Sequence, residues 1–382
     1  MSKSSMMRVI GLMSGTSMDG IDIALIETDG EEAVEPLGCA SLPYDAPFRA
    51  RLRQAIEDAT TIVERAERPG ILRVVERELT ERHAAAVADF LRTQAMTPRD
   101  IDLVSFHGQT VVHRPCERLT VQIGDGPLLA QLIGVDVVHE LRARDVAAGG
   151  QGAPLAPVYH RAMAAKIGGG PMAVLNIGGV ANVTFIDRDG ELLAFDTGPG
   201  NALLDDFVFA RTGRGLDADG VYSAPGTVDA ALLETLMRNA YFAAPPPKSL
   251  DRNHFAVGDI GHLSVEDGAA TLAAFTVEAV AAAAHHASDA PRRWIVCGGG
   301  RRNPTITKGL RERLTAAVVT AEEVGFDGDA VEAQAWAYLG VRSMHGRAIS
   351  FPGTTGVARA MTGGVISKKG AGDPEARNDL ST

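Results

Sequence analysis

The first turn of the chain combines small, flexible residues with carboxylates. The stretch GLMSGTSMDGIDIALIE, residues 11–27, places glycines, hydroxyls and two aspartates between apolar runs. A glycine-rich turn can present successive backbone N–H groups to a phosphate, and serine and threonine hydroxyls add donors. Asp19 and Asp22 add carboxylates of the kind that hold Mg²⁺ beside a phosphate chain. An ordinary hairpin turn at residues 18–20 is the alternative, because Asp-Gly is a strong hairpin signal.

Two more glycine clusters follow in the second half of the chain. Gly178 and Gly179 lie between apolar runs, in a stretch that mirrors the opening hairpin. Gly298 to Gly300 follow a strand-like run, where bare backbone can lie against a flat base; a tight turn is the alternative. The motif GxxxxGK[ST] is absent, and no GxGxxG opens a helix after a strand, which disfavours the two most common nucleotide folds. The clusters favour another clamp, in which two hairpins from opposite halves grip one phosphate chain.

The elements that position these residues alternate between strands and helices. In the first 140 residues, short Ile-, Val- and Leu-rich runs alternate with stretches whose apolar residues recur every three or four positions. A loop without periodicity at 147–157 is typical of a crossing between lobes, with a plain linker as the alternative. The pattern predicts an α/β protein with a first lobe over 1–143, joined by 345–366, and a second lobe over 144–344. Residues 367–382 are predicted to form a disordered tail.

Composition and charge exclude several classes of protein. The 382 residues include 37 basic and 48 acidic side chains, for a net charge of −11, which gives no general attraction for nucleic acid or an anionic membrane. Three widely spaced cysteines form no CxxC pair, so neither a disulfide framework nor a zinc site is indicated. No secretory signal precedes the first strand, and no run of about 18 apolar residues is present. These features predict a cytoplasmic protein without a membrane or nucleic-acid partner.

Six motifs, taken together and in this order, resemble one family. They are GLMSGTSMDGID, FHGQTVVHRP, RDVAAGGQGAPLAP, NIGGVANVT, FDTGPGN and CGGGRRNP. They are similar to the anhydro-N-acetylmuramic acid kinases, of the actin, sugar-kinase and heat-shock ATPase superfamily. The resemblance extends to about Gly364 and implies a two-lobed actin-like ATPase fold, ribonuclease H-like, with an interlobe cleft. In one departure, Glu140 and Leu141 replace the usual Asp-Phe before the retained Arg142.

The resemblance implies an unusual kinase reaction on a small amino sugar, in peptidoglycan recycling. Because O6 of the sugar is tied to C1, a water attacks C1 while O6 takes the γ-phosphate of ATP, giving N-acetylmuramic acid 6-phosphate and ADP. Such a step needs a carboxylate base, and Mg²⁺ with backbone donors at the phosphoryl group. The resemblance also suggests a homodimer. Two alternatives stay open: another sugar or acetate kinase of the superfamily, and a nucleotide-driven clamp that binds a protein partner.

The motifs assign roles to particular residues. Asp196 is the implied base and Glu332 a second carboxylate that orients the water or sugar; turn capping and a helix-dipole contact are their respective alternatives. Arg142 is the implied partner of the lactyl carboxylate. The other implied sugar contacts are His107, Gln109, Gln151, Gly198 and Asn201, with Gly198 and Gly200 leaving space for the sugar. The implied ATP contacts are Gly15, Thr16, Ser17, Met18, Asp19, Gly20, Ile21, Asp22, Gly178, Gly179, Gly298, Gly299, Gly300 and Asn303, and Asp19 and Asp22 also hold Mg²⁺ through water.

Overall fold

The computed structural model describes residues 5–15, 17–252, 254–258 and 260–370. The strands in these ranges are β1 (Met7–Met13), β2 (Gly20–Thr28), β3 (Val34–Pro43), β4 (Leu103–Phe106), β5 (Gln109–Arg114), β6 (Leu119–Ile123), β7 (Val137–His139), β8 (Met172–Ile177), β9 (Val180–Ile186), β10 (Leu192–Pro199), β11 (Arg293–Cys297), β12 (Ala317–Thr320) and β13 (Val365–Ser367). The α-helices are α1 (Ala46–Ala59), α2 (Leu72–Thr93), α3 (Gly126–Ile133), α4 (Ala143–Ala147), α5 (Pro157–Lys166), α6 (Ala202–Thr212), α7 (Ala230–Met237), α8 (Val265–Ala283), α9 (Pro304–Arg313), α10 (Val331–Met344) and α11 (Pro352–Thr355).

The chain divides into two compact units. The first comprises the residues up to Lys166 together with those from Glu332 onward, and the second comprises Ile167–Val331. The expected division had its boundaries at 143/144 and 344/345, so residues 144–166 and 332–344 belong to the first unit instead. At the end of α5, the Lys166 ammonium donates to the Val34 carbonyl at 3.1 Å, which ties this helix to β3 of the first unit.

Helix α10 joins the first unit for a steric reason. A Cβ on Gly11 would lie 1.9 Å from the Ala333 carbonyl oxygen, so glycine in β1 allows the helix backbone to pack directly on the sheet. The chain returns to this unit at its end as well. Ser367, the first residue of the predicted tail, lies in β13, and the Lys368 ammonium donates to Asp136 at 2.8 Å. The rest of that predicted tail from residue 371 lies outside the described residues.

Each unit contains a sheet of the same design, which confirms the α/β fold class. In the first unit the strand order is β3-β2-β1-β4-β7-β13, with an antiparallel β1–β2–β3 meander and parallel β1–β4 and β4–β7 pairs. In the second unit β10-β9-β8-β11-β12 repeats this pattern, with an antiparallel β8–β9–β10 meander and parallel β8–β11 and β11–β12 pairs. Both predicted glycine hairpins are therefore confirmed, at β1–β2 and at β8–β9. This repeated order is that of the ribonuclease H-like, actin-like ATPase fold.

The cores follow the predicted periodicities. Ile21, Ile23 and Leu25 alternate along β2 and pack with Phe48 of α1 and Leu79 of α2 in one buried cluster. In the second unit, α8 and α9 pack on the sheet in a second cluster. Helix α8 with the turn after it is long and apolar enough to cross a membrane by length and composition, yet most of it is buried. It is the central core helix of its unit.

Candidate active site

Side chains just after β3 and β4 and at the start of β5 hold the turn between β1 and β2. The His107 ring nitrogen Nδ1 lies 3.1 Å from the Ser14 carbonyl oxygen, and Gln109 Nε2 donates to the Gly15 carbonyl at 3.2 Å. The Tyr44 hydroxyl lies 2.6 Å from the Ser14 hydroxyl. His107 and Gln109, which the sequence assigned to the sugar, thus hold the backbone of the first predicted phosphate hairpin.

The tautomer of His107 follows from its partners. Nδ1 faces two carbonyl oxygens, those of Ser14 and Gly108, and therefore carries the proton, while Nε2 accepts from Nε of Arg142 at 3.1 Å. Burial, with the neighbouring Arg142 charge as a second cause, lowers the pKa of His107 to about 3. His107 is consequently neutral and links the hairpin to Arg142.

Arg142 lies between this histidine and a tryptophan. Its guanidinium donates to the Gly152 carbonyl at 2.8 Å and lies 4.8 Å from the ring centroid of Trp336. Burial lowers the pKa of Arg142 to about 10, against the opposing charges of Glu332 and Asp145, so the group stays protonated at neutral pH. The contacts to His107 and Gly152 use two of its five N–H groups, which leaves the capacity for a carboxylate.

A buried carboxylate fixes the loop that was predicted to be a crossing. Asp145 accepts hydrogen bonds from the Gly152 amide at 2.7 Å and from the hydroxyls of Ser350 and Thr355. The Gln151 amide donates to the Thr355 carbonyl at 2.7 Å, and the Gln151 side chain is exposed. The loop is therefore anchored beside Arg142, and Gln151 is presented to solvent on it.

The two carboxylates of the first hairpin differ in their exposure to solvent. Asp19 is exposed and accepts a hydrogen bond from the Ser17 hydroxyl at 2.8 Å, while Asp22 is partly buried at the start of β2. Met18 adopts a positive φ of 54° in this turn, and its amide donates to the Gly15 carbonyl at 3.1 Å. Among the described residues no group of three or more His, Cys, Asp or Glu side chains forms a metal cage. Thr16 lies outside the described residues.

In the second unit, the glycine turn between β8 and β9 is hydrogen-bonded to the turn between β10 and α6. The Asn201 amide donates to the Gly178 carbonyl at 2.7 Å, and the Gly200 amide donates to the Gly179 carbonyl at 3.0 Å. The Asn201 side-chain amide donates to the Ile177 carbonyl at 3.3 Å. The turn of the second hairpin is thus bonded to the turn between β10 and α6, which carries the predicted residue Asn201.

The predicted glycines divide into two groups by what surrounds them. In the first group a Cβ would meet another atom of the same unit at 2.2–2.6 Å; these residues are Gly20, Gly198, Gly200, Gly298 and Gly300. In the second group the nearest atom would be 3.4–3.6 Å away and φ is not positive; these residues are Gly15, Gly178, Gly179 and Gly299. Packing explains the first group. It does not require glycine in the second group.

The space expected at Gly198 and Gly200 is filled by the protein itself. A Cβ on Gly198 would lie 2.6 Å from Cβ of Ala279 in α8, and one on Gly200 would lie 2.2 Å from the Gly178 carbonyl oxygen. These two glycines serve close packing in the second unit. Room for a sugar therefore does not follow from their missing side chains, which corrects the expectation.

Asp196 lies on β10 where the pairing with β9 shifts register. Its Oδ2 accepts from the Leu250 amide at 2.7 Å, its amide donates to the Lys248 carbonyl at 3.1 Å, and its carbonyl accepts from the Tyr241 hydroxyl at 2.5 Å. Burial raises the pKa of the Asp196 carboxyl to about 6, against the lowering effect of the Leu250 amide. A carboxylate with a pKa near the working pH is suited to general-base chemistry.

Two predicted ATP contacts have side chains that serve the fold. Asn303 is buried and caps α9, accepting from the Thr305 amide at 3.0 Å and donating to Asp217 at 3.0 Å. The Ile21 side chain is buried in the core of the first unit. Any contact of these residues with a nucleotide would therefore be made by their backbone.

Sequence reasoning missed the neighbours that hold the predicted functional groups. Trp336 follows Glu332 by four residues on α10, so helical spacing could have placed it on the same face. Tyr241 is 45 residues from Asp196 along the chain, and no local pattern links them. Lys248 lies just after a run of three prolines, residues 245–247, and no local pattern links it to Asp196 either.

The comparisons with known proteins agree on one family. The family model described as anhydro-N-acetylmuramic acid kinase matches residues 7–369. A protein of that name from Methylobacterium nodulans is 54% identical over 373 residues, covering 95% of this chain and 100% of the relative. Another from Bradyrhizobium diazoefficiens is 52% identical over 367 residues, with the same two coverages.

One solved structure has a much weaker likeness. The activator of the 2-hydroxyisocaproyl-CoA dehydratase from Clostridium difficile, with bound ADPNP, gives a TM-score of 0.44 at 11% identity, covering 89% of this chain and 96% of that one. A likeness of this level carries no argument about the site. The family model and the full-length relatives decide the family, because they cover nearly all of the chain, including the glycine turns of both units and Asp196. The chain belongs to the anhydro-N-acetylmuramic acid kinase family.

Proposed function

We propose that the chain uses ATP and water to convert 1,6-anhydro-N-acetylmuramic acid into N-acetylmuramic acid 6-phosphate, with release of ADP, in the recycling of peptidoglycan. Water adds to C1 and the C1–O6 bond breaks. O6 forms a bond to the γ-phosphorus as the bond to the β-phosphate oxygen breaks. The proton that the water loses goes to Asp196.

The observation that best supports the use of ATP is a set of glycines that packing does not require. Gly15, Gly178, Gly179 and Gly299 each lie at a turn, and alanine would fit at each position without a close contact inside its unit. Bare backbone at a turn allows N–H groups to approach phosphate oxygens or a base. We therefore assign the phosphate contacts to Gly15, Gly178 and Gly179, and the contact with the adenine to Gly299.

The base assignment is supported by the environment of Asp196. One carboxylate oxygen accepts from the Leu250 amide, and burial keeps the pKa of the carboxyl near 6. At neutral pH the carboxyl is mostly ionised, and its pKa of about 6 lies close to the pH of the medium, which suits transfer of one proton from water. Glu332, exposed in the first turn of α10, is assigned to orienting the water or the sugar.

Mg²⁺ fits the donor set of the first hairpin. Mg²⁺ binds through one or two carboxylates, phosphate oxygens and waters and needs no cage of protein ligands. Asp19 is exposed and Asp22 partly buried, and we assign them to holding the ion through water. When bound, the ion would neutralise charge on the transferring phosphoryl group.

Location and assembly are part of the proposal. We infer a cytoplasmic location, since the three cysteines of the chain are free thiols in the structure and the substrate is an intracellular nucleotide. We infer a homodimer from the family resemblance, and light scattering at working concentration measures it directly.

Two substitutions of His107 distinguish its hydrogen bond to Ser14 from its hydrogen bond to Arg142. In His107→Asn the amide nitrogen replaces Nδ1, so the bond to Ser14 survives and the acceptor for Arg142 is lost. We expect the KM for the sugar to rise about tenfold, the effect of one lost hydrogen bond, with little change in the KM for ATP. His107→Gln replaces Nε2 instead and is expected to raise the KM for ATP. Steady-state kinetics with each substrate varied separately measures both values.

The surface histidine His285 supplies the control for this pair. His285 is exposed on the second unit, and His285→Asn is expected to leave both KM values unchanged. Equal increases in both KM values for both His107 variants would contradict separate links and would indicate a general loss of structure.

Isotope labelling tests the proposed reaction itself. In water labelled with oxygen-18, the anhydro sugar and Mg-ATP should give a product with the label at C1 and none in the phosphoryl group. A coupled ADP assay should show turnover with the anhydro sugar and little with ordinary hexoses. An unlabelled C1 would instead indicate a kinase that phosphorylates a free hydroxyl, and fast ATP consumption without sugar would indicate a nucleotide-driven clamp.

A further inference from the structure

We propose that the segment 241–250 is a positioning strap for the base, in which Tyr241 and Lys248 fix the direction of the Asp196 carboxylate without contacting the substrate. This inference rests on the proposed function, because it concerns the base of that reaction. The strap is defined as residues Tyr241 to Leu250, which run from the turn after α7 through the proline run and back along β10.

The strap bonds to Asp196 at three points. The Tyr241 hydroxyl donates to the Asp196 carbonyl at 2.5 Å, and the Asp196 amide donates to the Lys248 carbonyl at 3.1 Å. The Leu250 amide donates to Oδ2 at 2.7 Å. Both main-chain polar groups and one carboxylate oxygen of Asp196 are therefore held by a single segment. We assign the other carboxylate oxygen, Oδ1, to the water.

Lys248 closes the strap on itself. Its ammonium donates to the Tyr241 carbonyl at 2.9 Å and to the Phe242 carbonyl at 3.4 Å, and lies 4.6 Å from the centroid of the Tyr241 ring. The same ammonium lies 5.4 Å from the ring of Phe195, the residue before the base. These contacts join the two ends of the proline run, so the cation fixes the loop that presents the Leu250 amide.

The irregular strand pairing at Asp196 explains why such a strap is needed. β10 loses its regular register against β9 immediately after Asp196, so the sheet alone fixes the backbone less firmly there. A base held within about 0.5 Å of its productive position is required for efficient proton transfer. The strap supplies the bonds that the irregular strand lacks.

Among the residues that the structure describes, four titratable side chains pack on the strap or beside the base. Tyr241 and Lys248 lie on the strap, His254 packs against the Tyr241 ring at 5.5 Å, and His286 packs against Phe195 at 5.3 Å. Of the contacts to Asp196, the Leu250 amide favours the ionised form of the carboxyl. Loosening the strap weakens this bond and therefore raises the pKa of Asp196.

The test is Tyr241→Phe, which removes the hydroxyl and keeps the ring. We expect kcat to fall about tenfold with both KM values within about twofold, the effect of one lost hydrogen bond expressed in turnover. The ascending limb of kcat against pH should move to higher pH. Lys248→Gln, which opens the loop without touching the Tyr241 hydroxyl, should move kcat and the limb in the same directions.

Two matched controls separate positioning from stability. Tyr338→Phe removes a similar bond, from the Tyr338 hydroxyl to the Glu31 carbonyl at 2.6 Å, and should lower the melting temperature without moving the pH limb. Lys308→Gln removes an exposed lysine of α9 and should change neither. Wild-type kcat and an unmoved limb in both strap variants would overturn the strap. An active Asp196→Asn variant would instead remove Asp196 as the base, which is a failure of the proposed function.

Discussion

Replacing Asp196 by asparagine is expected to reduce kcat by about 100- to 10,000-fold, the range found for loss of a general base. Asparagine keeps the shape of the side chain and an oxygen for the Leu250 amide, so only the proton acceptor is removed. Binding of ADP, measured by calorimetry, should stay within about twofold of the wild-type value, since the phosphate and adenine contacts are assigned to other residues.

The same substitution is expected to stabilise the protein at neutral pH. The folded-state pKa of Asp196 is about 6, whereas an aspartate in an unfolded chain titrates near 3.9. The folded state therefore binds more protons between these values, and the free energy of unfolding of the wild type falls as pH rises through this window. By about pH 7 the loss approaches ~3 kcal/mol, and Asp196→Asn avoids it. The melting temperatures of the wild type and of Asp196→Asn should therefore be nearly equal at pH 4, and that of the variant should be higher at pH 7.5.

Asp206 on α6 provides the control carboxylate. It is exposed and pairs with Arg252 at 2.7 Å, so Asp206→Asn should preserve kcat and show no gain in stability at pH 7.5. Turnover of Asp196→Asn within tenfold of the wild type would remove Asp196 from its assigned role. A melting temperature lowered at every pH would contradict the desolvation account of its raised pKa.

Neighbouring glycines at the end of β11 are expected to respond in opposite ways to alanine. Gly298 has φ 74° and ψ 174°, a region open almost only to glycine, and a Cβ there would lie 2.2 Å from Asn176 Oδ1. Gly298→Ala should therefore cost about 3 kcal/mol and lower the melting temperature by roughly 5–10 °C without ligand. A Cβ on Gly299 would meet only the Asn201 amide, at 3.6 Å, so Gly299→Ala should fold with near wild-type stability.

Ligand binding then tests the role assigned to Gly299. If its bare backbone lies against the nucleotide base, Gly299→Ala should weaken ADP binding about tenfold while the melting temperature of the free protein stays constant. Calorimetry with ADP and melting curves without it measure the two effects separately. Unchanged affinity in Gly299→Ala would remove that glycine from the site, and a stable Gly298→Ala variant would contradict the steric account of its neighbour.

Local patterns were sufficient for the two hairpins and for most elements around them. Period-two alternation at Ile21, Ile23 and Leu25 and the Asp-Gly turn specified β1–β2, because both signals are short-range. The strand β3 was not predicted. Its side chains are mostly exposed or half-buried at the edge of the sheet, so it carries no run of apolar residues that could mark it.

Boundaries between the units could not be predicted from the same patterns. The helix α10 is continuous with the second half in sequence, yet it packs on β1 because Gly11, more than 300 residues away, leaves room for its backbone. Likewise, no local pattern distinguishes Gly298 from Gly299, or Gly200 from Gly179. Only the atoms that surround each residue show which glycine serves packing.

The sequence by itself determined the fold class, the two glycine hairpins, the family resemblance and the identity of Asp196 as the candidate base. These depend on residue type, spacing and motif order, which are properties of the chain taken alone. Only the tertiary structure decided that His107 links the first hairpin to Arg142, and that Tyr241 and Lys248 hold Asp196. The physical reason is that the environment of a functional group, its burial and its hydrogen-bond partners, is supplied by segments distant in sequence, and no local pattern records which segments will meet.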